Sequence, residues 1–111
     1  MIQGDVRIGE NSYVNDSGML LAQDGYHIEI GKDCAIGHWV YMNTRMHKTD
    51  NHLEYFKGNI HIGDHVWVGN GAVIYPNVTV GDGAVIGAHC VIAHDIPPNM
   101  VVYVTQEMRP K

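Results

Sequence analysis

The chain has 111 residues, a length that fits one domain. Its formal net charge of −5, from 7 basic and 12 acidic residues, argues against a nucleic-acid or anionic-membrane partner, because both need a basic face. No apolar stretch is long enough to span a membrane, and no basic segment precedes an apolar one as in a secretory signal. The 13 glycines and 8 histidines are many for so short a chain, and no apolar stripe at helical spacing accompanies them.

A six-residue repeat runs along the sequence in three blocks. The first block places aliphatic residues at Ile2, Ile8, Val14 and Leu20. The register then slips around residues 22–27, AQDGYH, a stretch that favours a turn. The repeat resumes for a second block and later for a third, with its apolar positions at Ile30, Ile36, Met42, Ile62, Val68, Ile74, Val80, Ile86 and Ile92. In most of these hexads a small residue follows the aliphatic one, and another apolar residue lies two positions before it.

This repeat predicts an all-β solenoid, because a period of six fits no helix. Inward side chains two residues apart match the alternation of a strand, and the small residue that follows allows a sharp corner. Stacked coils would pair their backbones with the coils above and below, and the inward aliphatics would form one ladder. Cys34 and Cys90 fall at inward positions, so we expect buried, unreactive thiols and a reducing, cytoplasmic location.

Two segments depart from the repeat. At about residues 43–59 it stops for a polar stretch rich in His, Asp and Asn, and a solenoid accommodates such an insertion as an extruded loop that often carries function. Near the end, Pro97 and Pro98 lack the backbone donors that a ladder needs and therefore end the repeats. Residues 100–111 are expected to form one last strand and a short tail.

With these motifs the chain resembles the hexapeptide-repeat acyltransferases, specifically the sugar and antibiotic O-acetyltransferases. The resemblance is strongest over residues 60–99. It implies a single left-handed parallel β-helix domain over residues 1–111, with about three hexads per turn. It also implies an acetyl-CoA-dependent O-acetyltransferase that forms a homotrimer, with active sites between subunits and no metal. The outward positions of Trp39, Tyr41, Trp67 and Tyr75 agree with association, since a monomer would expose them.

The resemblance assigns the catalytic base to His47, in the stretch Met46–Asp50 at the start of the insertion. An acceptor hydroxyl must lose its proton as it attacks a thioester, and imidazole is suited to that task near neutral pH. A base histidine is usually oriented by an acceptor on its other nitrogen. Glu54 is the preferred candidate for this acceptor and Asp50 is the alternative.

The resemblance also implies the positions that contact the two substrates. For acetyl-CoA these are Trp67, Gly69, Asn70, Ala88, Ala93 and His94, with Arg109 and Lys111 as candidate partners of its phosphates. Trp67 could instead lie in the subunit interface. For the acceptor, Tyr13 and Asn15 form a Tyr-x-Asn element that flanks the inward Val14. The family's N-terminal helical segment does not precede Met1, so we expect part of the acceptor pocket to be absent or supplied by another subunit.

The sequence departs from the family pattern near its end. His89-Cys90 and Ala93-His94 stand in place of Gly-Ser and Thr-Lys, and residues 103–107 replace the closing motif.

Two other interpretations of the function stay open. One is a γ-class carbonic anhydrase, which shares the fold and would bind zinc through three histidines, here His52, His89 and His94. The other is a non-catalytic trimeric scaffold or binding protein.

Overall fold

A computed structural model describes all 111 residues and contains strands, turns and no helix. Strands are numbered β1–β16 along the chain, and fourteen of them form three parallel sheets. Sheet A consists, in spatial order, of β1 (Ile2–Gln3), β4 (Met19–Leu21), β7 (Tyr41–Asn43), β12 (Val73–Ile74) and β15 (Val91–Ile92). Sheet B consists of β2 (Asp5–Ile8), β5 (His27–Ile30), β10 (Ile60–Ile62) and β13 (Thr79–Val80). Sheet C consists of β3 (Tyr13–Val14), β6 (Ala35–Ile36), β11 (Trp67–Val68), β14 (Val85–Ile86) and β16 (Val101–Val102).

The chain visits sheets A, B and C in turn, so each of the first four coils contributes one strand to each side of a three-sided prism. The last coil contributes β15 and β16 and, on the side of sheet B, only a bridge from Ile96 to Val80. Ile62 pairs in parallel with Val80 in the regular part, and this step of eighteen residues equals three hexads. Val6 pairs with Ile28 across the register slip, and Ile28 pairs with Ile60 across the insertion. Both interruptions therefore fall at the corner between sheets A and B, on successive coils. The predicted parallel β-helix is confirmed.

The inward positions form the core that the repeat predicts. Twenty buried apolar residues make one continuous cluster, and Cys34 and Cys90 belong to it as free thiols. Ile2 and Ile8 are different, because they are 53% and 41% exposed. They lie in the first coil, which has a neighbour on one side only, so their inward direction does not bury them.

The corners are built differently from the expectation. The small residue after each aliphatic does not turn the chain; it allows two coils to approach. A Cβ built on Gly69 would lie 2.6 Å from the backbone nitrogen of Ala88 and 2.9 Å from the carbonyl carbon of Gly87. The left-handed backbone lies two residues later in the hexad, at Asn11, Ser17, Asp33, Trp39, His65, Gly71, Asn77, Gly83, His89 and Asn99.

The insertion forms a two-stranded antiparallel hairpin outside the prism, from β8 (Arg45–His47) and β9 (Tyr55–Lys57). After β16, residues 103–111 form no further strand, as expected for the tail. The structure has no helix with the length and apolarity needed to cross a bilayer.

Candidate functional site

The hairpin is fixed to the prism by a polar network at its base. Asn43 and Thr44 follow the inward Met42 and are the polar residues whose side chains are buried in the structure. The Gln23 amide group donates to Asn43 Oδ1 at 3.2 Å, and the Gln23 backbone N–H donates to Thr44 Oγ1 at 2.9 Å. The Gly58 backbone N–H donates to the Thr44 carbonyl on the return strand. The network joins the register slip of one coil to both arms of the hairpin on the next.

We expect the change Thr44→Val to lower the free energy of unfolding by about 1–2 kcal/mol, because the half-buried N–H of Gln23 loses its only acceptor. The matched change Thr79→Val removes a hydroxyl that lies on the outer face and makes no side-chain hydrogen bond. It should shift stability by less than about 0.5 kcal/mol. Urea unfolding of both variants checks this, and equal losses would contradict the role given to Thr44.

His47 is exposed at the end of β8 and is held by the turn of its own hairpin. Its Nδ1 lies 2.8 Å from the backbone carbonyl oxygen of His52. A carbonyl only accepts, so Nδ1 carries the proton and Nε2 is left as the acceptor nitrogen. The geometry therefore gives His47 the tautomer that a general base requires.

The orienting role expected for Glu54 or Asp50 is not what the structure shows. The Glu54 carboxylate pairs with Lys48 Nζ at 3.2 Å and accepts a hydrogen bond from Asn51 at 3.3 Å. Neither it nor Asp50 makes a hydrogen bond to the His47 ring. Glu54 stabilises the hairpin turn that presents the His52 carbonyl, and the acceptor that orients His47 is this backbone carbonyl.

A cleft of about 450 Å³ lies between the hairpin and the outer face of sheet A. Its walls carry three tyrosine rings and four polar side chains, Tyr41, Tyr55, Tyr75, Gln23, Asn43, Arg45 and His47. The ring centroids of His47 and Tyr55 are 4.5 Å apart, and Arg45 Cζ lies 5.0 Å from the Tyr55 centroid. Tyr41 and Tyr75 are half-buried because the hairpin covers part of them, so they are less exposed than the sequence indicated.

The positions expected for acetyl-CoA fall on two corners of the prism and on the tail. Gly69, Asn70 and Ala88 lie on successive coils between sheets C and A, and Asn70 Oδ1 accepts from the backbone N–H of His38 at 2.8 Å. Ala93 and His94 follow β15 at the corner between sheets A and B, and both are exposed. The tail residues Arg109 and Lys111 are exposed as well, and neither forms an ion pair.

The acceptor candidates lie on another side of the prism from the hairpin. Tyr13 and Trp67 point outward from sheet C, separated by the single row of Ala35, and are 56% and 57% exposed. Asn15 is half-buried and its amide donates to the Ile36 carbonyl at 3.2 Å, so its donor already has a partner within the chain. One chain therefore does not bring Tyr13, Trp67 and His47 together.

The three histidines of the carbonic anhydrase interpretation are not brought together either, since no group of three potential ligands approaches metal-binding geometry in the structure.

Sequence reasoning missed Gln23, Asn43 and Thr44 as parts of the site. The repeat itself could have indicated them. Its two breaks follow β4 and β7, which are neighbours in sheet A, so the residues of the two breaks lie on adjacent coils.

Comparisons with known proteins agree with this architecture. Residues 59–94 match a family model described as bacterial transferase hexapeptide (six repeats). The chain is 38% identical over 101 residues to the galactoside O-acetyltransferase of Escherichia coli (strain K12), covering 87% of this chain and 49% of that protein. It thus spans about half the length of the curated relatives it matches.

Solved structures give the same result. A hexapeptide-repeat acetyltransferase from Vibrio cholerae, complexed with acetyl coenzyme A, superposes with a TM-score of 0.78 at 30% identity, covering 90% of this chain and 58% of that one. A maltose O-acetyltransferase from Clostridium difficile 630 superposes with a TM-score of 0.73 at 33% identity, covering 90% and 59%. The repeat, the three-sided prism and these relatives together place the chain among the hexapeptide-repeat acyltransferases, whose fold is the left-handed β-helix.

Proposed function

We propose that this chain is an acetyl-CoA-dependent O-acetyltransferase that acts on a hydroxyl of a sugar or similar small acceptor, with His47 as general base. The observation that carries the proposal is the hydrogen bond from His47 Nδ1 to the His52 carbonyl. It fixes the ring, leaves Nε2 to accept a proton, and does so at the wall of a cleft that can admit a small molecule.

Acetyl-CoA would supply an activated thioester carbonyl. His47 Nε2 accepts the proton of the acceptor hydroxyl as the hydroxyl oxygen attacks that carbonyl carbon. The C–S bond then breaks, and His47 returns the proton to the leaving thiolate. The products are an acetyl ester and free coenzyme A, and the histidine ends in its starting state.

The corner between sheets C and A suits the donor. Ala88 is exposed there and carries only a methyl group, and the exposed ring of Trp67 lies beside it on sheet C. A long, thin pantetheine arm could therefore lie against the coils. Exposed His94, Arg109 and Lys111 are the candidates for its phosphates.

The proposal includes a homotrimer with the active site shared between neighbours. Two observations support it: Trp39 and Trp67 are 65% and 57% exposed, and the acceptor positions Tyr13 and Asn15 lie on or beside sheet C, on a different side from His47. A neighbouring prism that covers sheet C would bury the tryptophans and could complete the site. We also propose a cytoplasmic location, because both cysteines are unpaired.

The test is an acetyl-transfer assay. Purified protein is incubated with acetyl-CoA and a panel of neutral and charged sugars and other hydroxyl compounds, and both thiol release and the acetylated product are measured. We expect product from at least one acceptor and a mass in solution of three chains. The proposed activity would be contradicted if the folded protein released no thiol with any acceptor of the panel and showed no thermal shift with acetyl-CoA.

A further inference from the structure

The face of the hairpin that carries His47 and Tyr55 also carries two positive side chains directly opposite each other. Arg45 on β8 and Lys57 on β9 are cross-strand partners, and opposite positions of an antiparallel pair project to the same face. Like charges in this arrangement repel and destabilise the strand pair. Arg45 also contacts the Tyr55 ring, but nothing in the strand pairing offsets the repulsion between the two cations, and an anion bound between them would.

No acidic side chain of the protein neutralises this pair. Neither Arg45 nor Lys57 takes part in an ion pair, although the chain has more acidic than basic residues. Two other cations nearby are compensated: Lys48 pairs with Glu54, and Arg7 pairs with Asp5 at 2.8 Å, which lowers the pKa of that carboxyl below its ordinary value through the hydrogen bond. Lys32, Arg109 and Lys111 also lack an acidic partner, but only Arg45 and Lys57 face each other across a strand pair.

The two cations border a groove that continues the cleft at His47. This groove has a volume of about 660 Å³ and is lined by Arg45, Lys57 and Gln23. Arg45 and Gln23 also line the cleft, so the two spaces are continuous. Asp24 also lines it, so the groove has two positive groups and one negative group. Along the cleft, the Tyr55 ring lies between the His47 ring and the Arg45 guanidinium. A ligand that lies against Tyr55 would reach both.

The direction of the groove indicates which substrate would bring the negative charge. It runs from the hairpin toward the first two coils, where its other wall is formed by Gln3, Gly4, Ala22, Gln23, Asp24 and Tyr26. The positions proposed for acetyl-CoA, among them Gly69, Ala88 and Ala93, lie on later coils in the opposite direction along the prism. Within this chain the donor candidates therefore lie away from Arg45 and Lys57, an arrangement that favours the acceptor as the substrate bound by the two cations.

We infer that the acceptor is a hydroxyl compound bearing a carboxylate or phosphate, which Arg45 and Lys57 bind while its hydroxyl lies at His47. This inference rests on the proposed function, because it assigns the substrate class of the same site. Arg45 can bind either anion through two parallel N–H donors, and Lys57 adds a point charge. Tyr55 offers a flat face for the apolar side of the ring.

The test compares matched acceptors that differ in one charge. Glucuronate, galacturonate and glucose 6-phosphate are measured against glucose and galactose, in the wild type and in Arg45→Gln, Lys57→Gln and the double variant. Lys32→Gln serves as the control, because Lys32 is an exposed cation on another corner. We expect transfer to favour the charged acceptors. Each single variant should raise KM for them roughly tenfold with kcat little changed, and the control should not.

Direct binding separates this inference from the proposed function. Saturation-transfer NMR without acetyl-CoA should detect the charged sugars on the wild type and not on the double variant. Transfer to the charged acceptors with the wild-type KM in the double variant would overturn the inference while the acetyltransferase activity stands. A rise in KM for acetyl-CoA alone would assign the cations to the donor's phosphates and also overturn it. If no acceptor is acetylated, the proposed function fails, and NMR still decides whether the groove binds the anions.

Discussion

Replacing His47 with alanine is expected to lower the rate of acetyl transfer by roughly 10²–10⁴-fold, the range that a positioned general base contributes. His47 is the only histidine that lines the cleft. Its Nδ1 is bonded to a backbone carbonyl, and its Nε2 is free to accept a proton. The ring is exposed, so its loss should change the free energy of unfolding by less than about 0.5 kcal/mol. Initial rates of thiol release and urea unfolding measure the two effects.

The matched control for this experiment is His52→Ala. His52 supplies only its backbone carbonyl to His47, and its own exposed side chain makes no hydrogen bond in the structure. The variant keeps that carbonyl, so it should transfer acetyl groups at nearly the wild-type rate. Full activity in His47→Ala would remove the mechanism proposed above, and equal losses in both variants would show that the hairpin conformation matters and the imidazole does not.

The sequence predicts the direction of each side chain well wherever the repeat is regular. Val66 and Val68 are buried and Trp67 between them is exposed, because alternation along a short strand assigns successive side chains to opposite faces. The pattern says nothing about what lies above a coil. Ile2 and Ile8 keep the inward direction and remain exposed, because burial at the end of a solenoid depends on a neighbour that the repeat does not encode.

The partner of His47 could not be read from the sequence. The expected candidates were the carboxylates of Glu54 and Asp50, since these side chains are visible in a sequence and commonly orient a base. The observed acceptor is a backbone carbonyl, which every residue possesses, and its position depends on the hairpin turn. The Glu54 carboxylate is instead drawn to Lys48, six residues before it, on the opposite arm of the hairpin.

The sequence predicts that the small residue after each aliphatic allows a sharp corner, whereas in the structure it allows two coils to approach. Two alanine variants separate a limit set by backbone conformation from a limit set by space. Gly69 has no left-handed backbone, and its missing Cβ lets the backbone of Gly87 and Ala88 approach within 3.0 Å of where that atom would lie. Gly25 is the reverse case, with φ at +85° and no atom within 4 Å of the same place. The first position is limited by space and the second by backbone conformation.

We therefore expect Gly69→Ala to lower the free energy of unfolding by about 3 kcal/mol, because a rigid backbone must move to admit the methyl group. Gly25→Ala should cost about 1 kcal/mol, the strain of a left-handed alanine. Urea unfolding at one protein concentration measures both, since association would otherwise alter the comparison. If Gly25→Ala were the more damaging change, the corners of this β-helix would be limited by backbone conformation, and the close approach of its coils would not explain where glycine is required.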